Sequence, residues 1–177
     1  MPEKTIKTLE TERLVLRQLQ LEDAPTVYKK WTSDDDVARY VRWNTHKSVE
    51  ETIEYINKTI ENCKNENNYE WGIVLKEENE LIGAIGAFPS EEGRIELGYN
   101  IAKKYWRNGY TTEALKRVMD YLINEENIHH FRCAHAALNP ASGAVMQKVG
   151  FKYAKNEIKD KFDGSEKFDC KVYYLDV

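Results

Sequence analysis

The stretch Ile95–Leu115, IELGYNIAKKYWRNGYTTEAL, constrains this chain more than any other. Its opening residues alternate: Leu97, Tyr99 and Ile101 share one face of an extended strand, opposite Glu96, Gly98 and Asn100. A loop holding Gly109 follows and opens a helix that carries Leu115, Val118, Met119 and Leu122 on one side. A strand feeding into an amphipathic helix belongs to a sheet with helices packed on its faces. The junction also favours an anion. First-turn N–H groups have no intrahelical acceptors and the helix dipole is positive there, which is worth about 0.3–1 kcal/mol per interaction to a phosphate. Gly109 would let the backbone come close, and Arg107 could add a charge-assisted bond. A turn glycine beside a solvated arginine would look the same in the loop alone.

The rest of the chain fills in the sheet. Leu14, Leu16 and Leu19 predict a strand over about 12–20, and a helix follows from Leu21 through Trp31 to the acidic run Ser33–Asp36, with a short piece over 37–41. Ser48 and Glu51 have capping-box spacing ahead of Val49, Ile53, Ile56, Ile60 and Cys63, predicting a helix over 49–64. Residues 69–76 and 81–88 read as a hairpin, and Gly83 and Gly86 imply that something approaches the second strand closely. Strands over 94–101 and 132–138, a helix over 140–149 closed by Gly150, and strands over 153–162 and 167–176 around Asp163-Gly164 complete the order β-α-α-β-β-β-α-β-α-β-β. The expected class is α/β (α+β): a mixed central sheet of about seven strands with about four helices on its faces, in one domain over 1–177.

Composition removes several functional classes. A net charge of -4 with 11% aromatic residues argues against a disordered chain. No apolar run reaches about 18 residues, and Met1–Glu10 is too charged for a signal peptide, so a soluble cytoplasmic protein without membrane contact is expected. Cys63, Cys133 and Cys170 fit neither a disulfide framework nor paired metal ligands and are expected to be buried or idle thiols. A pI near 5.7 without a Lys/Arg block argues against nucleic acid. Neither GxxxxGK[ST] nor GxGxxG occurs, so any phosphate is held differently from a Walker or Rossmann site.

The ELGY strand, the WRNGYTTEAL loop and helix, Asn139-Pro140-Ala141-Ser142 and Lys148-Val149-Gly150-Phe151 together resemble the GNAT superfamily of acyl-CoA-dependent N-acetyltransferases. Thr11–Arg17 and Asp169–Leu175 resemble its RimJ/RimL-like branch, the ribosomal-protein N-terminal acetyltransferases, so the likeness covers nearly the whole chain. It implies transfer of an acetyl group from acetyl-CoA, as donor cosubstrate and without a metal, to a primary amine by direct attack. The acceptor would be a protein N-terminus or a small amine such as a polyamine, amino sugar or drug, and the enzyme a monomer or homodimer.

The resemblance also implies roles for particular residues. The family's loop, (Gln/Arg)-x-x-Gly-x-(Gly/Ala), binds the CoA pyrophosphate through backbone N–H groups and maps onto Trp106–Thr111. Trp106 and Thr111 depart from that pattern, so Arg107 and the amides of Asn108, Gly109, Tyr110, Thr111 and Thr112 carry more of the binding. The preceding strand is splayed from its neighbour, between the fourth and fifth strands, so that Tyr99, Asn100 and Ile101 pair with pantetheine and one N–H polarises the thioester carbonyl. Asn139 and Ser142 match CoA contacts, although Asn139 before Pro140 is equally an ordinary helix cap. An ammonium must lose a proton before it attacks, which makes Glu96 the expected base and His135 the runner-up. Many family members place a tyrosine acid where this chain has Met146, leaving Ser142 or solvent to protonate the thiolate. Arg42, Trp43, Tyr153 and Phe168 are expected around the acceptor cleft. Asp34–Asp36 and Glu50-Glu51 either attract a cationic acceptor or serve as helix-dipole partners. The competing classes are a non-catalytic acyl-CoA-binding module and a hydrolase using Ser142, the latter lacking a nucleophile elbow.

Overall fold

In the computed structural model, which describes residues 4–177, the predicted strands join one eight-stranded sheet. The first three residues of the charged Met1–Glu10 stretch lie outside the described residues. The strands are β1 (Leu9–Glu10), β2 (Leu14–Arg17), β3 (Tyr69–Leu75), β4 (Glu80–Pro89), β5 (Ile95–Ile101), β6 (His130–Ala136), β7 (Lys152–Asp160) and β8 (Lys167–Asp176). Their spatial order is β1-β2-β3-β4-β5-β6-β8-β7, and only β5 and β6 run parallel. A parallel pair needs a crossover, supplied here by α4 (Tyr110–Asn124). The eighth strand is β1, two residues long and too short to show a period.

The remaining helices are α1 (Ala24–Val27), α2 (Asp35–Ala38), α3 (Val49–Asn62) and α5 (Pro140–Val149). The single helix expected from Leu21 is instead a 3₁₀ turn over Leu21–Asp23, then α1, then a π turn over Tyr28–Thr32. The fifth helix, α2, starts two residues before the piece expected at 37–41, because Asp34 caps it by accepting from the Asp36 amide at 2.9 Å. The capping box at α3 does not form. Ser48 makes no side-chain cap bond, and Glu51 accepts from the Lys47 amide at 2.7 Å instead of that of Ser48.

On one face of the sheet Tyr121 of α4 meets the stacked Tyr69–Trp71 pair edge-on, at 6.2 and 5.9 Å, with Leu115, Val118 and Leu122 fully buried. The other face is covered by α1, the π turn after it and α3, through Val27, Trp31 and Ile56 respectively. The close approach expected at Gly83 comes from β5: a Cβ there would lie 2.9 Å from the Ile101 Cα. β5 and β6 are bonded only at Ile95↔Phe131, Glu96↔Arg132 and Leu97↔Cys133. β5 nevertheless stays paired with β4 to Ile101, and β6 with β8 to Ala136. Past Leu97 the two parallel strands therefore part, which is the expected splay. The polar groups of β5 from Gly98 onward have no strand partner on that side.

Candidate active site

The loop between β5 and α4 is held from three directions. Trp106 Nε1 donates to Ile101 O at 2.7 Å, Asn108 Nδ2 donates to Tyr105 O and Trp106 O, and Arg13 Nη1 donates to Asn108 O at 3.0 Å. Arg13 also pairs with Glu113 at 2.7 Å and lies over the Tyr110 ring. Trp106, which departs from the family pattern, thus ties the loop back to its own strand. Arg107 and Gly109 both adopt left-handed backbone, φ 65° and 79°, a region a non-glycine residue enters uncommonly. The first helical bond of α4 runs from the Glu113 amide to Gly109 O, so the amides of Tyr110, Thr111 and Thr112 precede any intrahelical acceptor. A groove of about 660 Å³ runs over this loop. Every residue that the sequence assigned to the donor lines it: Tyr99, Asn100, Ile101, Arg107 through Thr112, Asn139 and Ser142.

Two unused polar side chains point to a ligand in this groove. Asn100 Oδ1 is buried without a hydrogen-bond partner among the described residues. Asn139 occupies the N-cap position of α5 but makes no cap bond, so the ordinary capping role is not realised and its amide is left to the groove. From β5, Tyr99 Oη lies 3.0 Å from both Ser142 Oγ and Ser142 O. His135 is a satisfied interior histidine: Nδ1 lies 2.8 Å from Ala136 O, Nε2 lies 3.3 Å from Tyr173 Oη, and the two rings stack. Met146 is buried where the family's tyrosine would stand. All three cysteines are buried, which pushes the Cys63 and Cys170 thiols up to about 11 and the Cys133 thiol higher still, so none offers a ready thiolate.

A second cavity, about 370 Å³, shares Tyr40, Val41, Tyr99, Asn100, Asn139 and Ser142 with the groove. The two spaces therefore meet where β5 and β6 part. Arg42, Trp43 and Phe168 line this cavity as expected. Tyr153 does not; it is exposed, bonded to Asn156 and edge-on to Tyr173, because a bulge between Tyr153 and Lys155 shifts the register of β7. The acidic runs are not an acceptor lure either. Asp34 caps α2, Asp36 pairs with Lys103 at 2.5 Å, Glu51 accepts from the Lys47 amide, and neither Glu50 nor Glu51 lines the cavity. The segment after α2 is tied over the cavity: Arg42 Nε donates to Asp160 O, the Phe162 amide to Arg42 O, and buried Lys161 Nζ to Ala38 O and Trp43 O.

Glu96 faces the cavity with its charge already engaged. Its Oε1 lies 2.7 Å from Arg132 Nε as an ion pair without an aligned hydrogen bond, and the same buried guanidinium also holds Glu92 and Glu157. The sequence reading missed Glu70 of β3 and Tyr55 of α3, which line the cavity and are joined by a 2.5 Å bond from Tyr55 Oη to Glu70 Oε1. Burial pushes the Glu70 carboxyl up, and the Tyr55 bond only partly offsets this. The available signal was slight: one acidic residue inside an otherwise apolar strand.

The sheet parts at one strand pair, and an amide-lined groove on one side meets a carboxylate-bearing cavity on the other. Residues 13–152 match the Acetyltransferase (GNAT) domain family, and the chain belongs to it. It is 30% identical over 169 residues to the uncharacterized N-acetyltransferase YoaA of Bacillus subtilis (strain 168), covering 94% of this chain and 95% of that one. A GNAT-family acetyltransferase of Bacillus anthracis superposes with TM-score 0.82 at 27% identity, over 96% of this chain and 98% of that one. RimL, a ribosomal L7/L12 alpha-N-protein acetyltransferase solved with coenzyme A, superposes with TM-score 0.84 at 17% identity, over 97% and 98% of the two chains. The chain is an N-acetyltransferase, and it shares its fold with RimL.

Proposed function

We propose that this enzyme transfers the acetyl group of acetyl-CoA to the α-amine at a polypeptide N-terminus, by direct attack and without an acyl-enzyme. The observation that carries this reading is the meeting of groove and cavity at the β5/β6 splay. The amides of Asn108 through Thr112, with Arg107, would hold the diphosphate, Asn139 and Ser142 would contact the coenzyme, and the backbone of Tyr99, Asn100 and Ile101 would take the pantetheine arm. When bound, acetyl-CoA supplies an acyl carbon open to attack and a sulfur that leaves with the bonding pair. An N–H of β5 steadies the charge developing on the carbonyl oxygen. Ser142, oriented by Tyr99, delivers a proton to the departing sulfur, a modest base since a free thiol has a pKa of about 8.5. The carboxylates of the cavity draw the acceptor in as its ammonium. Of its three N–H protons, one goes to a carboxylate, one is matched by the proton gained by sulfur, and one stays in the amide.

The likeness to RimL favours a polypeptide acceptor. The strap of Arg42 and Trp43 tied across the cavity favours a small amine as the second reading. Thiol release from acetyl-CoA, measured with peptides beginning in Ala or Ser beside spermidine and kanamycin, separates them. The expected result is a higher kcat/KM for the peptides; preference for either small amine selects the second reading. Thermal stabilisation by CoA without turnover on any of the four would mark a non-catalytic module. Ser142→Ala is expected to lower kcat about 100-fold with little change in the KM for acetyl-CoA, at the low end of acid–base contributions. A change confined to KM would make Ser142 a cofactor contact only.

A further inference from the structure

Glu70, Gly86 and Gly98 stand opposite one another in register across β3, β4 and β5, and so lie on one face of the sheet. Neither glycine places a side chain between Glu70 and the splay. The Glu70 carboxylate lies over Gly86: a Cβ built there would be 3.5 Å from Glu70 Oε2. Adjacent strands are about 4.8 Å apart, so a carboxyl group above Gly86 has crossed one of the two strand spacings that separate Glu70 from Gly98. Gly98 is the first residue of β5 beyond its last bonded pair with β6. The strip thus runs from Glu70 towards the point where groove and cavity meet, with the Phe88 ring beside its far end: a Cβ built at Gly98 would lie 3.7 Å from Phe88 Cε1.

The groups around Glu70 decide how it can be used. From α3, Tyr55 Oη donates to Oε1, and the thiol of Cys63, the residue that ends that helix, is close enough to feel its charge; beyond Tyr55, the His46 ring lies edge-on at 6.1 Å. From β5 and β7, Glu96 and Lys159 line the same cavity. Among the described residues Oε2 accepts no hydrogen bond, and no cation pairs with Glu70. Glu96, in contrast, commits Oε1 to the buried Arg132, and a proton arriving there would break into an ion pair.

We propose that Glu70 is the catalytic base of this site, positioned by Tyr55, and that Glu96 is held by Arg132 as a fixed negative charge. This rests on the acetyl-transfer reading above. Glu70 Oε2 forms an O–H bond as one N–H bond of the ammonium breaks and leaves its electron pair on nitrogen. That pair attacks the thioester carbon, the C–S bond breaks with its electrons leaving on sulfur, the second N–H proton lost by nitrogen is matched by the proton sulfur gains from Ser142, and Glu70 later returns its own proton to water at the cavity mouth.

The test measures thiol release from acetyl-CoA with an Ala-initiated peptide and with spermidine, across pH 6–10, for the wild type and for Glu70→Gln, Glu96→Gln and Tyr55→Phe. Glu70→Gln is expected to lower kcat at pH 7 about 100-fold. It should retain the thermal stabilisation by CoA and recover activity as pH rises and the free amine becomes abundant. Glu96→Gln should raise the acceptor KM more than it lowers kcat. Tyr55→Phe removes a donor to the charged carboxylate, so the acid limb of the kcat profile should move to higher pH. A merely structural Tyr55 would change melting temperature without moving that limb. Glu70→Gln keeping more than half of the wild-type kcat at pH 7, or an unmoved limb in Tyr55→Phe, overturns the assignment while leaving acetyl transfer intact. A wild type that binds CoA and acetylates neither probe overturns both.

Discussion

Gly109→Val raises the KM for acetyl-CoA by about 10- to 100-fold, the equivalent of about 1–3 kcal/mol of backbone strain carried into the bound state. Gly109 sits at φ 79°, immediately before the first residue of α4. A β-branched side chain is strongly disfavoured there, and its Cβ would also meet Arg13 Nη2 at 3.5 Å. The loop can relieve the strain only by rotating the peptide planes around Gly109, which turns the amides of Tyr110 and Thr111 away from a common point. Arg13, just before β2, whose bonds to Asn108 O and Glu113 brace the loop, resists that rotation. The loss should fall on donor affinity. The acceptor KM is set across the sheet and should move little. Steady-state kinetics with each substrate varied in turn checks this, and an unchanged KM for acetyl-CoA would remove the loop from the donor site.

Arg132→Leu lowers stability by about 3 kcal/mol, the lower end of the cost of breaking a buried ion pair, since its partners are partly exposed. Three carboxylates then face one another without their shared cation. In a chain of this length that corresponds to a fall in melting temperature of about 6–12 °C. The sign of the pH dependence follows from the carboxylates. Lys155 and Tyr174, together with Arg132, hold Glu92 down to about 2, and for Glu157 burial pushes the carboxyl up but the bond and charge of Arg132 together with Lys159 hold it below the ordinary value. Both are depressed on folding, so the stability they confer is present above the ordinary value of 4.5 and is lost as pH falls towards their folded values. The gap between wild type and variant should therefore be widest above pH 5 and narrow towards pH 3, as protonation removes the repulsion. Melting curves across that range check it; a gap below 2 °C, or one independent of pH, would deny the cluster its structural weight.

What could be read in advance follows from how each feature is built. The groove residues come from nearly contiguous chain, 99–112 with 139–142, so short local motifs carry the family resemblance that assigned them, whereas the strand alternation and the loop glycine by themselves suggested only an anion site at a helix start. The cavity beside it assembles Tyr55, Glu70 and Phe168 from three separate elements and Phe162 from the turn between β7 and β8, and no local period links them. Glu70 was legible only as an acidic residue out of character with its strand, and the meaning of Gly86 and Gly98 appears only once their register is known. Tyr153 was misplaced because a bulge alters which way a strand residue faces, and a period of two cannot reveal one. The capping box at Ser48 was misread for a related reason: Glu51 had a second backbone amide, that of Lys47, within reach. The splay was foreseen through likeness to a family. In the structure it is visible as three bonded pairs where seven-residue strands offer room for more.

The most direct test is isothermal titration of coenzyme A, and separately acetyl-CoA, into the purified protein. The account predicts saturable heat with one site per chain, weakened in Gly109→Val. Absence of any heat of association for both ligands would contradict the donor site on which the reaction depends.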